Sequence, residues 1–502
     1  MSKYMYDKRT KWYNLISGLI CQALVAISGL IIPNLILTTY GSVLNGLLAT
    51  VTQLLAYLSL IESGLYAASL VSMYKPMAMK NYAFASSVLV STRNFYRKIS
   101  IWFAVGAFAC SFVLPMLIKD DIPLTTILLV LTSLVGVSIS NYLFLATYKV
   151  ALQADDKLYI INIVHIVGII VQFALSLLVI KFNINIAAVK GVIMASNMFE
   201  WLCLAMYMQK RLPEITFDAP PRNDALHQRK DLLVHQILSL VLNNTDVVLL
   251  TVFMPSLIYV SVYSIYAMVL LLVQNIVNTV SSMYSSKVGQ LYATGNYHQL
   301  YGIIKKYEIH FYLALFIAFS SMDILIMPFV SIYTRGISDA MYYVPVIGIL
   351  FSIYGITRMY RTPFSDLTNS AGRFKETKIQ AVNEAGINLV LSIVLVQKYG
   401  IVGVLLGSIA GEVYRTIHTF IYCHKKIIQI FWMRSMWFGI LNSFIFFALH
   451  YLMCDFRVYQ PDTYLDFLII SIKVTLIISM LYLIANYVLY CFTSKSYMRK
   501  FG

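Results

Sequence analysis

Fourteen stretches of 18–28 predominantly apolar residues, separated by short polar turns, run the length of the chain. They cover 12–37, 47–74, 100–118, 124–147, 158–180, 186–208, 231–253, 258–284, 307–329, 343–364, 379–396, 401–422, 436–453 and 467–493. A helix rises about 1.5 Å per residue, so each stretch is long enough to cross a hydrocarbon core about 30 Å thick. Strands of a membrane barrel would alternate strictly over about ten residues. These runs are continuous and about twice as long, so the pattern predicts an all-α polytopic membrane protein. The first run is too long for a cleaved signal peptide, and no small-residue cleavage site follows it.

The polar turns narrow the function. On one side the longest, 454–466, has 13 residues; on the other, 75–99, 209–230 and 285–306 are about twice that. None holds a catalytic domain, which argues against a polymerase or glycosyltransferase with a large outer loop. The 75–99 segment sets Lys75, Lys80, Arg93, Arg97 and Lys98 around an apolar stretch, the pattern of a surface amphipathic helix.

Composition agrees with the pattern. The chain of 502 residues is 59% hydrophobic and only 12% charged, about half the charge of a soluble domain. The net charge of +16 is distributed unevenly. One set of alternate segments and helix ends carries 31 Lys and Arg; the other carries Lys119, Lys181, Lys190, Arg335, Lys398 and Arg457. Lys473 lies inside the last run. The positive-inside rule then places both termini in the cytoplasm and requires an even number of spans. An anionic inner leaflet accounts for the surplus charge, and nucleic acid is not needed. The six cysteines form no CxxC or Cys/His cluster, so metal and redox chemistry have no support. There is no GxxxxGK[ST] for ATP and no local Ser/His/Asp signature. The sequence assigns no catalytic residue and no cofactor.

An internal repeat divides the chain. Ala154–Lys157 opens the fifth run and Ala371–Lys375 the eleventh. Gly168 then aligns with Gly386, Lys181 with Lys398, Gly191 with Gly407, and the turn Val179–Asn183 with Val396–Gly400. The ordered series predicts two pseudo-symmetric six-helix lobes, 1–208 and 231–425, joined by a cytoplasmic linker at 209–230. Residues 426–502 add two further helices and a cytoplasmic tail. A six-span offset makes the repeats parallel, an arrangement suited to alternating access around a central cavity.

Three ordered N-terminal segments, Thr39–Leu47, Leu58–Leu65 and Met73–Ala78, resemble the signature of bacterial polysaccharide repeat-unit flippases. These belong to the multidrug/oligosaccharidyl-lipid/polysaccharide exporter superfamily. Asn243–Leu250, Val262–Tyr266 and Ala371–Lys378 resemble later segments of the same family, so the resemblance extends over roughly residues 10–425. It implies flipping of an undecaprenyl-pyrophosphate-linked oligosaccharide from the inner to the outer leaflet of the cytoplasmic membrane, for O-antigen, capsule or exopolysaccharide. It also implies a V-shaped pair of bundles, and a polysaccharide polymerase and chain-length regulator as partners. Many members have twelve spans; lipid II flippases of the superfamily have fourteen.

Charges inside spans are costly and therefore candidates for function. Glu62 and Asp246 lie near mid-depth of the second and seventh runs, which the resemblance places at the cavity. Asp246 shares a polar turn with Asn243 and Asn244. They suit a protonatable or cation-binding pair coupling transport to H+ or Na+, hydrogen bonding to sugar hydroxyls, or plain buried carboxyls satisfied by nearby hydroxyls. Arg358 and Arg361 stand three apart on one face of the tenth run. A guanidinium fork stays charged and can hold a pyrophosphate bidentately. The alternatives are snorkelling to the inner surface and an ion pair with Asp366. Glu412 and Arg415, also three apart, are expected to neutralise each other. Glu200, Asp323, Glu384 and Lys473 lack a sequence-adjacent partner. His165 aligns with Asn383 in the repeat, which suggests polar packing. The amides Gln274 and Asn278 share a face by spacing; with Gln22 and Asn34 they serve either as helix glue or as sugar-binding groups. Pro33 is placed to kink the first span.

These features favour a flippase over three rivals: a cation-coupled multidrug exporter of the same superfamily, a membrane polymerase or glycosyltransferase, and a non-transporting scaffold.

Overall fold

The structure is a computed structural model that describes residues 8–62, 64–222, 244–428 and 433–501. It is all-helical, with no strand among the described residues. By contact the chain forms two compact units, Met1–Ser261 and Val262–Gly502. Unit 1 holds α1 (Lys8–Leu58), α2 (Leu65–Ala78), α3 (Tyr82–Leu117), α4 (Leu124–Ser140), α5 (Ala146–Ala154), α6 (Leu158–Lys181), α7 (Ile186–Arg211) and α8 (Asn244–Phe253). From the unit boundary onward come α9 (Ile258–Ala293), α10 (Tyr297–Tyr333), α11 (Pro345–Tyr360), α12 (Thr362–Ser370), α13 (Phe374–Tyr399), α14 (Ile401–Tyr422), α15 (Met433–Leu452), α16 (Cys454–Val458) and α17 (Tyr464–Phe501). Among the described residues, nine helices are long and apolar enough to cross a membrane. The chain is a multi-pass membrane protein. Every expected span falls on helix, although of the seventh only 244–253 lies within the described residues.

The structure redraws the turns. The polar stretch expected between the first two spans is itself helical, and α1 passes through it with one break at Gly41 (φ 83, ψ 172). That region of backbone space is open essentially only to glycine. Pro33 sits inside the helix, so the break falls at Gly41 and not at the proline. The second span is interrupted as well. Its chain passes through a 3-10 turn, Ser59–Glu62, and Gly64 (φ 79) before α2 begins.

The segment 75–99 is not a separate surface helix. α2 and α3 are three residues apart, and the Asn81 side chain caps α3 by accepting from the Phe84 amide at 3.1 Å. The apolar stretch that suggested a membrane surface is core: Ala85, Val88 and Leu89 are buried against Leu145, Val150 and Leu204. The segment 285–306 behaves alike, with Asn296 accepting from the Gln299 amide at 3.2 Å to start α10.

Two further features position charged groups. In unit 1, α4 passes into α5 through a π-helical turn, Asn141–Leu145. Asn197 of α7 braces it, donating to Ser140 Oγ at 2.8 Å. In unit 2, α13 turns into α14 on Gly400 alone (φ 56, ψ −127). The two helices then pack through Gly403, Gly407 and Gly411, every fourth residue of α14. A Cβ on Gly403 would lie 2.2 Å from the Leu395 carbonyl oxygen, and one on Gly407 2.6 Å from the Ser392 amide nitrogen. This is the small-residue seam by which membrane helices bring backbones together. Across it Asn388 donates to Ser408 Oγ at 2.9 Å.

The last two long helices belong to unit 2 and pack on α10. Asn442 and Asn486 exchange amide hydrogen bonds at 2.9 and 3.2 Å. Tyr482 OH lies 2.8 Å from Ser320 Oγ, and His450 Nδ1 lies 2.7 Å from Asp323 Oδ2.

Candidate functional site

The glycine seam sets Glu384 of α13 against Glu412 of α14. Gly411 is the reason they meet, since a Cβ there would come within 3.0 Å of the Glu384 carbonyl oxygen. Opposite them α11 ends at Tyr360, and Pro363 near the start of α12 forces a new helix. Arg361 occupies the junction. Its Nη1 lies 2.9 Å from Glu384 Oε1 and also donates to Glu412 Oε2. Arg358 Nε is 3.9 Å from Glu412 Oε1, and its Nη1 donates to Tyr354 OH at 3.0 Å. Arg415 Nε is 3.7 Å from Glu384 Oε2, and its Nη1 donates to the Thr377 carbonyl at 2.9 Å. Thr416 Oγ1 ties α14 to α11 by donating to the Thr357 carbonyl at 2.8 Å.

Among the described residues, five charges therefore form one cluster, three arginines on two glutamates. The carboxylates are dry, 3% and 6% exposed in their side chains. Arg358 is the most open cation, at 30% against 18% for Arg361. The two arginines expected to act as equals thus differ. Arg361 is held between two acids, whereas Arg358 stands at the open edge. Two expected pairings fall away. Asp366 accepts instead from Ser281 Oγ at 2.9 Å and Tyr307 OH at 2.6 Å. Arg415 turns across to Glu384 rather than along its own helix to Glu412. Sequence reasoning left Glu384 without a partner, because its cations lie on α11 and α14.

Beside this cluster runs an apolar groove of ≈ 780 Å³. Thr357 and Tyr360 of α11, Val413 and Ile417 of α14 and Ile440 of α15 line it, with Lys425 among its polar residues. Gly439 leaves room for it, since a Cβ there would meet Tyr360 OH at 2.1 Å.

The other candidates occupy separate places. Glu62 sits in the 3-10 turn and accepts from Tyr96 OH at 3.3 Å. Asp246 is buried, next to Thr245, whose hydroxyl lies 3.0 Å from Tyr57 OH. Asn243 lies outside the described residues. Gln274 and Asn278 do not share an environment: Gln274 is buried, its Nε2 without a hydrogen-bond partner among the described residues, and Asn278 is exposed. Gln22 is exposed, and the Asn34 carbonyl accepts from Thr38 Oγ1 at 3.0 Å. Glu200 has partners after all, His165 Nδ1 at 2.8 Å and Lys149 Nζ at 4.0 Å. No group of three or more metal-ligating side chains occurs among the described residues.

No protein-family model matches the chain, and no curated protein matches it. Solved structures do. A lipid II flippase, MurJ, in an inward closed conformation is similar with a TM-score of 0.66 at 14% identity, over 95% of this chain and 99% of its own. An inward-facing multidrug resistance MATE family transporter of the MOP superfamily gives 0.63 at 13% identity, over 86% and 98%. A eukaryotic MATE transporter, AtDTX14, gives 0.56 at 15% identity, over 88% and 99%. The chain has the fold of the MOP superfamily transporters. This likeness covers 86–95% of the chain.

Proposed function

We propose that this protein flips a lipid-linked, pyrophosphate-bearing oligosaccharide across the bacterial cytoplasmic membrane for surface polysaccharide assembly. The observation that supports the reading is the arginine-rich buried charge cluster, set on the same helices as an apolar groove. A polyprenyl-linked substrate has this double character, an anionic head and an apolar tail. Arg358, the most exposed of the three arginines, would meet the pyrophosphate, and Arg361 would hold the acids that keep the cluster in register. The groove offers the tail a surface beside the head. Alternating access would be carried by the lobes 1–208 and 231–425, with both termini cytoplasmic. Glu62 and Asp246 are the acids available for coupling to H+ or Na+. Asn34, Gln274 and the exposed Gln22 and Asn278 are the amides available to sugar hydroxyls. A polymerase and a chain-length regulator would take over the product.

The fold is equally that of multidrug exporters, which makes a drug pump the second reading. Three clustered arginines oppose an organic-cation substrate, since like charge in a low-dielectric site is costly.

Deleting the gene in its host and analysing lipid-linked intermediates separates the two. The expected result is a completed repeat unit trapped on the inner leaflet. Normal surface polysaccharide with altered dye sensitivity alone would replace the flippase by the exporter.

A further inference from the structure

Unit 1 carries an amphiphilic groove of its own, built from none of the residues of the arginine–glutamate cluster. Its polar end is a small pocket of ≈ 190 Å³ lined by Arg93 and Arg97 of α3, Thr147 and Tyr148 of α5, Trp201 of α7 and Phe217. Its apolar continuation, ≈ 730 Å³, is lined by Ala104, Phe108 and Ser111 of α3, Val135 and Ile139 of α4 and Met198 of α7. Phe144, in the π-helical turn, lines both.

The spacing sets the two end to end along one helix face. On α3 the lining residues 93, 97, 104, 108 and 111 recur at three-, four- and seven-residue intervals, so they share one helix face. On α7 the residues 194, 198 and 201 do the same. From Arg97 to Ser111 the face runs about 21 Å at 1.5 Å per residue. That exceeds the hydrocarbon depth of one leaflet, about half of 30 Å.

The polar end is built to hold an anion. Neither Arg93 nor Arg97 has a carboxylate within 4.0 Å among the described residues, and Arg93 is half-buried. Phe217 roofs Arg93, its ring centroid 4.6 Å from the guanidinium carbon, and packs on Tyr148 at 5.6 Å. Thr147 is 2% exposed, and its hydroxyl has no hydrogen-bond partner among the described residues. A helical threonine ordinarily falls back on the carbonyl four residues earlier. Here that residue is Leu143, inside the π-helical turn, where the ladder is displaced. Such turns occur frequently at functional sites. The result is two guanidinium groups and an unused hydroxyl at the mouth of an apolar trough.

We propose that this groove holds a resident anionic glycerophospholipid, its phosphate on Arg93, Arg97 and Thr147 and an acyl chain along α3, α4 and α7. The small polar end, ≈ 190 Å³ beside a trough of ≈ 730 Å³, suits a compact phosphate head better than a pyrophosphate carrying an oligosaccharide. The occupant is therefore a bulk membrane lipid and not the transported one. The 212–222 segment fixes the roof, because the Thr216 amide donates to Ser86 Oγ at 3.0 Å and the Arg222 amide to Ser91 Oγ. Lipid occupancy thereby braces the stretch that follows α7.

The test uses the full chain with Trp201 as its single tryptophan, the others replaced by phenylalanine, in phosphatidylcholine bilayers. Quenching of Trp201 is compared between brominated phosphatidylglycerol and brominated phosphatidylcholine. The expected result is a preference for phosphatidylglycerol of about fivefold or more, the usual worth of a basic side chain at an anionic surface. Arg93→Gln with Arg97→Gln should abolish the preference. Ala104→Phe, which fills the trough and leaves the arginines intact, should lower quenching by both lipids and decides the matter where the double variant does not fold. Equal quenching by the two lipids, or a preference unchanged in the arginine variant, overturns the proposal. So does displacement of phosphatidylglycerol by millimolar inorganic phosphate, which would make this a free-phosphate site, or by substoichiometric polyprenyl pyrophosphate, which would make it a substrate site. The readout does not depend on transport, so it stands or falls independently of the flippase reading.

Discussion

Glu412→Gln is the sharpest probe of the charge cluster. The substitution keeps shape and removes one of two acids shared by three arginines. At an effective dielectric of about 20, the Arg358–Glu412 pair at 3.9 Å attracts by about 4 kcal/mol, and the closer Arg361–Glu412 pair by more. Desolvation of the ions cancels much of this, so the gross figures are not the net loss. Removing one partner of a buried pair costs about 3–5 kcal/mol, because the other charge stays behind uncompensated. Here the change would leave Arg358 facing a neutral amide and Arg361 with Glu384 alone. For a unit of this size, 2–4 °C per kcal/mol gives a fall of roughly 6–20 °C in melting temperature, measured by size-exclusion survival in detergent. Adding Arg361→Gln removes a cation that shared the lost acid and should restore most of the lost stability. Because Arg358 remains, the double variant should also regain measurable export. If Glu412→Gln melts like the parent, or the double variant melts below both singles, the cluster is not the balanced unit described above.

Arg358→Lys should export only in part, since lysine keeps the charge and loses the fork, and Arg358→Gln should stop export at normal protein level; full activity of the Gln variant in a polysaccharide assay refutes the pyrophosphate role. Gly407→Ala should cost about 1–3 kcal/mol, because its new methyl meets the Ser392 backbone. Gly386→Ala, at a position with nothing within 4 Å, should be neutral or stabilising; equal melting of the two variants would dismiss the seam. Reporter fusions after Asp121, Phe182 and Asp462 should read the outer side, and two inner readings would invert the topology.

Hydrophobic length alone made the all-helical, many-span fold legible, because a bilayer imposes one length on every crossing. The turns were less legible. Polarity marked 75–99 and 285–306 as loops, but helices that extend past the hydrocarbon are polar for the same reason, and only packing of Ala85, Val88 and Leu89 tells the cases apart. The cluster was half legible. Arg358, Arg361, Glu412 and Arg415 stood out as charges in apolar runs, yet neighbours in sequence were the wrong guide to their partners. Glu384 is reached from α11 and α14, and that distance is set by the glycine seam. The seam itself was readable, as glycine at every fourth position from Gly403. The repeat found Gly168, Gly191, Gly386 and Gly407 but not their roles. Gly168 makes room for Glu200 and Gly407 for Ser392, while Gly191 and Gly386 face open space.

That seam also governs how the sequence can diverge. At Gly403, Gly407 and Gly411 even one added carbon comes within 3.0 Å of a neighbouring backbone or side chain. On the same helix pair, Val390, Val394 and Leu406 are exposed. Any apolar residue satisfies lipid there, so these positions are free to drift while the glycines are not. A helix pair of this kind spends most of its length under a demand for oiliness and a few positions under a demand for smallness. Two chains can then keep one architecture with 13% or 14% of their residues in common. Substitution tolerance along α13 and α14 should accordingly fall into stripes, and not into blocks.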